Sequence, residues 1–170
     1  MTVRPIVALG NPVLRNRARK VSRFDAAIRA LVQDMVETMR DAPGVGLAAP
    51  QIGVALRVAV VDLSLGKPGG ELFTLVNPEF AERDGMQLEE EGCLSVPGFN
   101  ATVARPARVV VRALDRHGVP HTVEGTGLLA RALQHELDHL DGVLFLDRLR
   151  GIKRDLIVRR IRKMQRTGRW

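Results

Sequence analysis

Leu128-Leu129-Ala130-Arg131-Ala132-Leu133-Gln134-His135-Glu136-Leu137-Asp138-His139-Leu140 has helical character and holds an H-E-x-x-H sequence from His135 to His139. On a helix, positions four apart stand roughly 40° apart around the axis. Both imidazoles therefore project the same way, close enough to share one metal ion. Glu136 sits beside the first of them, where it can reach a water at the ion without binding the ion itself. Two neutral nitrogen ligands and a general base are the elements of a hydrolytic metal site. A surface helix bearing two solvated histidines is the bland alternative.

A catalytic ion usually takes three protein ligands and a water. Downstream of His139 the chain offers Asp141, Asp147 and Asp155, but no His, Glu or Cys. The better candidate lies upstream: Cys93, the only cysteine, in Glu89-Glu90-Glu91-Gly92-Cys93-Leu94-Ser95. Taken alone, a free cysteine reads as a small buried hydrophobe. Its glycine and acidic neighbours, together with a two-histidine site that needs a third ligand, favour the metal reading. A thiolate donor suits Fe(II) as well as Zn(II), and leaves an iron site open to oxidation at metal and sulfur.

Working outward, Phe24 to Arg40 places Ile28, Leu31, Val32, Met35, Val36 and Met39 at amphipathic-helix spacing. Pro43-Gly44 ends that helix, and Gly44-Val45-Gly46-Leu47-Ala48-Ala49-Pro50-Gln51 reads as a loop of small residues. Arg57 to Leu63 and Glu71 to Val76 read as strands, with Asn77-Pro78 breaking the chain after the second. Arg108 to Leu114 and Val119 to Glu124 read as a hairpin around Arg116-His117-Gly118. Ile152 to Gln165 forms a further helix with Leu156, Ile157, Ile161 and Met164 facing inward. Strands mostly precede the last helices, which argues for an α+β class.

A chain of 170 residues fits one domain, 1–170, and 45% hydrophobic content suffices for its core. One cysteine excludes an internal disulfide and suits a reducing cytosol. Met1-Thr2-Val3-Arg4-Pro5 lacks the look of a signal peptide. Apolar runs such as Val58 to Val61 fall far short of the roughly 20 residues a membrane helix needs. A cytoplasmic protein with no membrane partner is expected. The net charge of +7 is uneven. Beyond Arg148 come Arg150, Lys153, Arg154, Arg159, Arg160, Arg162, Lys163, Arg166 and Arg169, against Asp155 alone. This basic helix, about 152–166, is either a solvated face or a surface for phosphate-rich partners.

Three segments together resemble one family. Gly44-Val45-Gly46-Leu47-Ala48-Ala49-Pro50-Gln51, Glu91-Gly92-Cys93-Leu94-Ser95 and Gln134-His135-Glu136-Leu137-Asp138-His139-Leu140 are similar, in order and spacing, to the signature motifs of peptide deformylases. The resemblance implies mixed or antiparallel sheets around a central metal-binding helix, with a C-terminal helix. It implies a hydrolase removing the formyl group from N-formylmethionyl nascent peptides and releasing formate. It implies one Fe(2+) ion per chain, with Zn(2+), Ni(2+) or Co(2+) as substitutes. By position, Cys93, His135 and His139 hold the metal and Glu136 moves the protons. The backbone N–H of Leu94 and the amide of Gln51 stabilise the oxyanion.

The glycines of the first motif would let a substrate backbone pair with Val45 and Gly46. Val45, Leu128, Ala132 and the stem of Arg131 are candidates for the methionine slot, and Glu91 for a partner of Arg131 or of another basic group near the site. The basic helix would dock on ribosomal RNA. An arginine that some relatives carry after the cysteine motif is replaced here by Pro97-Gly98-Phe99-Asn100, which leaves peptide-side contacts open. Two other readings compete. A general metallopeptidase is permitted by H-E-x-x-H but does not explain Cys93. A non-catalytic ribosome-binding module does not require Glu136.

Overall fold

The computed structural model describes residues 2–170. Three apolar clusters organise it. A five-stranded sheet, in the order β1-β2-β3-β6-β7, is built from Gly46–Ala48, Val58–Val61, Phe73–Asp84, Arg108–Leu114 and Pro120–Thr126. A separate hairpin pairs β4, Gln87–Cys93, with β5, Val96–Arg105. Every pairing between these strands is antiparallel, so the class is α+β as the order of elements implies.

The sheet lies between two helices. Side chains alternate across a strand, so Val58 and Val60 join Val32, Met35 and Met39 of α1, Ala26–Asp41, on one face. On the other face Ala59 and Val61 join Ala130, Leu133 and Leu137 of α2, Gly127–Leu140. All four β2 residues are buried in consequence. The third cluster joins Val96, Phe99, Ala101 and Val103 of β5 to Ile161 of α3, Ile152–Arg166. Asp25 caps α1, its Oδ1 accepting from Ile28 N at 3.2 Å, and sets the helix start two residues after the expected Phe24.

Three expectations need correction. Gly44 to Gln51 is not only loop: Gly46–Ala48 is an edge strand paired with Ala59 to Val61, and Ala49–Ile52 is a 3-10 turn. Three residues are too few to show a period, and the pairing partner lies elsewhere in the chain. Asn77-Pro78 does not end its strand. Asn77 adopts φ +50° and its side chain bonds Val21 N and O, both at 2.9 Å. The ladder shifts register there and continues to Asp84 as a bulged strand. Leu156 does not face inward; it is 53% exposed. The packed stripe is Ile157, Ile161 and Met164, one helical step of roughly 100° away.

Candidate metal centre

Cys93 ends β4, and His135 and His139 occupy the buried second half of α2. Cys93 Sγ lies 3.3 Å from His139 Nε2, which lies 3.1 Å from His135 Nε2. All three donor atoms fall within 4.8 Å of one another. The two rings meet edge to face at 73°, as side chains one helical turn apart do when both aim at a common point.

The donor set fits a cation. His135 Nδ1 is 2.7 Å from Glu91 Oε2, so that nitrogen donates to the carboxylate and Nε2 is turned toward His139. Titration splits the pair. Burial pushes His135 down, but the charge of Glu136 and the bonds to Cys93 and Glu91 outweigh it and raise it well above the usual histidine range. Burial, and then the charge on His135, drive His139 far below that range. Two nitrogens and a sulfur within 4.8 Å of one another form a donor set that one divalent ion can share.

Glu136 is buried one residue from the first histidine. Burial, reinforced by the charges of Glu91 and Asp138 and opposed by His135 and Arg105, raises its carboxyl to about 7. Among the described residues, its Oε1 and His139 Nδ1 are the buried side-chain atoms without a hydrogen-bond partner. Strand β1 passes close to this carboxylate. A Cβ at Gly46 would collide with Oε2 of Glu136, so the protein's own packing favours glycine there.

Behind the triad stands a charged shell. Glu91 is held at about 2: burial alone would raise it, but bonds from Arg105 and His135 prevail. Arg105 donates through Nε and Nη2 to Glu91 at 2.8 and 2.6 Å, and through Nη1 to Asp138 at 2.9 Å. Arg148 grips Asp138 from the other side at 2.7 Å. Arg131 bonds Glu91 at 2.8 Å, the pairing expected for it, and also Val103 O at 2.8 Å. Sequence reasoning missed Arg105, Asp138 and Arg148. A signal existed for the first: Phe99, Ala101, Val103 and Arg105 share a face of β5 at strand period, placing a cation on a buried row.

Gln51 sits in the 3-10 turn after β1. Its Oε1 accepts from Ala48 N at 3.0 Å, which aims Nε2 at Ser95 Oγ, 3.1 Å away, and near Cys93 Sγ at 3.6 Å. A cavity of about 480 Å³ opens above these groups. Val45, Gly46, Leu94, Leu128, Arg131 and Ala132 all line it, as do Gln51, Cys93, His135 and Glu136. His139 lies beneath, outside the lining. Pro97, Gly98 and Asn100, from the stretch after the cysteine motif, line the cavity too.

Comparison with known proteins agrees along the whole chain. The family model described as Polypeptide deformylase matches residues 3–155. A peptide deformylase of Acidobacterium capsulatum is 52% identical over 170 residues, covering all of both chains. One of Acidothermus cellulolyticus is 49% identical over 99% of this chain and 91% of its own. The crystal structure of a peptide deformylase from Legionella pneumophila superposes with a TM-score of 0.91 at 47% identity, covering 98% of each chain.

Proposed function

The chain belongs to the polypeptide deformylase family, and from that premise we propose how its residues divide the work. The reaction is the family's: a metal-dependent hydrolase removes the formyl group from the N-terminal formylmethionine of newly made polypeptides. In our reading, Cys93, His135 and His139 hold the ion, and the ion is Fe(2+), with Zn(2+), Ni(2+) or Co(2+) as substitutes. One thiolate and two imidazoles form a donor set suited to each of these metals. When bound, such an ion acidifies water and polarises the formyl oxygen.

Glu136 is the proton carrier. With its carboxyl near 7 it accepts a proton from the attacking water and returns one to the departing amine, close to the operating pH where such transfer is most effective. Its uncommitted Oε1 leaves an oxygen for that task. Gln51 Nε2 and the Leu94 backbone N–H stabilise charge on the formyl oxygen; the bond from Ala48 N holds the Gln51 amide in one orientation. Val45 and Gly46 lie at and beside the free edge of the sheet, where an extended peptide adds as a strand. Leu128, Ala132 and the stem of Arg131 receive the methionine side chain. The chain works as one domain in the cytoplasm, and α3 docks it on ribosomal RNA.

The observation that supports this assignment most is the meeting of one sulfur and two ring nitrogens within 4.8 Å, beside a buried carboxylate. Its test is a pair of variants, assayed for metal content and for formate release from a formyl-Met peptide. Glu136→Ala should keep the metal and lower turnover by on the order of 1,000-fold. Cys93→Ala should lose both metal and turnover. Unchanged turnover in either variant overturns the corresponding role.

A further inference from the structure

Folding sets Arg15, the first of a second run of cations, beside the basic C-terminal helix. Gln165 Nε2 and Trp170 Nε1 both donate to Leu9 O, at 3.1 and 2.6 Å, so the end of α3 is fastened to the start of the chain. Between α3 and the 3-10 turn Pro12–Arg15 runs a groove of about 320 Å³, with Arg15 on one wall and Arg154 and Arg162 on the other. Its carboxylate, Asp147, is already engaged by Arg15 at 2.5 Å and by Leu144 N at 2.8 Å. Among the described residues, neither Arg154 nor Arg162 has an ion-pair partner.

From the groove the chain continues toward α1 with Arg17, Arg19, Lys20 and Arg23 exposed while Ala18 and Val21 are buried. The backbone of this strip is fixed. Ala18 N donates to Leu140 O at 2.9 Å, Arg19 N to Ala55 O at 3.0 Å, and Arg57 N to Arg19 O at 2.8 Å. Cations carried on an already ordered backbone give up less entropy on binding than those of a loose tail.

We propose that the strip from Arg15 to Arg23 and the Arg154–Arg162 face of α3 form one surface for the phosphate backbone of RNA, centred on the groove between them. This extends the docking of α3 on ribosomal RNA and rests on it. Six of the seven cations are arginines, whose planar forks match phosphate oxygens two at a time. Ile157, Ile161 and Met164 of α3 pack against the body; Ile152 and Leu156 stay exposed, two apolar side chains that do not make the broad apolar face a bilayer takes in. Trp170 is half-buried, its ring 6.2 Å from that of Phe99 and its Nε1 bonded to Leu9 O, and α3 carries no second aromatic to build a stacking platform with it. Recognition should therefore be of phosphates, independent of sequence and steeply salt-dependent.

The experiment uses the full-length, metal-loaded protein with a fluorescent 20-base-pair RNA duplex of arbitrary sequence, and then with purified ribosomes. Two double variants are compared, Arg17→Glu with Arg19→Glu and Arg154→Glu with Arg162→Glu. Each should weaken duplex and ribosome affinity by about tenfold or more and reduce the slope of log affinity against log salt by nearly 2, at about 0.9 for each phosphate left without its arginine. Formate release from a short formyl-Met peptide should not change. Wild-type affinity in the Arg17/Arg19 variant, with weakened binding in the Arg154/Arg162 variant, confines the site to α3; the composite surface falls and the tail reading stands. Wild-type affinity in both defeats both. Binding to phosphatidylserine vesicles that responds to the variants, with none to RNA, also overturns the proposal.

Discussion

Helices α2 and α3 are nearly equal in length, 14 and 15 residues, and lie in opposite surroundings. α2 is buried from Ala130 to Leu140 with its polar side chains inside, whereas of α3 only Ile161 is buried. Interior polar groups persist mostly when satisfied, and remote segments satisfy most of those of α2, leaving Glu136 Oε1 and His139 Nδ1 without a partner. Glu91 meets His135, while Arg105 and Arg148 meet Asp138. The charges of α3 are solvated and need no fixed partner. For stability, a polar residue in α2 is thus tied to one place by distant segments, whereas an exposed charge on α3 is nearly interchangeable.

The sharpest test of that contrast is Arg105→Leu. It strands Glu91 and Asp138 as buried, under-compensated carboxylates, which should lower stability by about 3–5 kcal/mol. Chemical denaturation measures it, and a loss under about 1 kcal/mol would mean the shell is wetter than its geometry indicates. Next is Leu133→Ala, a fully buried side chain of α2 against the sheet. A cavity there should cost about 2–5 kcal/mol, while leaving the metal content of the folded protein intact.

Glu91→Gln should cost less, about 1.5–3 kcal/mol at neutral pH, and should do so in a pH-dependent way. The folded carboxyl titrates near 2, below the 4.5 of a free glutamate. Its stabilisation is therefore complete above about pH 4.5 and lost as pH falls toward 2. Melting temperatures of wild type and variant should draw together across that window; a constant gap would show that the charge of Glu91 is not what the shell uses. Smallest is Arg159→Ala on the exposed face of α3, expected within about 0.5 kcal/mol. A larger effect would erase the distinction between the two helices.

Much of the site was legible because it is local. His135 and His139 share a face by helix geometry alone, and the stripe of α1 from Ile28 to Met39 follows the same period. Cys93 entered through the need for a third ligand and through the family resemblance, since it lies 46 residues from His139. The β4–β5 hairpin went unread because Glu89-Glu90-Glu91 has poor strand propensity; pairing with Ala101 to Val103 overrides it. Asn77-Pro78 looked like a stop because its turn chemistry is real, yet the bonds of Asn77 to Val21 accommodate it inside a long strand.

By itself the sequence determined the chemistry that repeats within one turn or one strand: two imidazoles aimed together, a carboxylate beside them, a lone thiol in a glycine-flanked segment, and a cationic final helix. Tertiary structure alone decided that Glu91 orients His135, that Arg105 and Arg148 clamp Asp138, that burial carries Glu136 to about 7, and that Arg15 faces Arg154 and Arg162 across a groove. The physical reason is one of range. Backbone periodicity is set by neighbours a few residues apart, whereas desolvation and charge pairing depend on which remote segments exclude water from the same few ångströms.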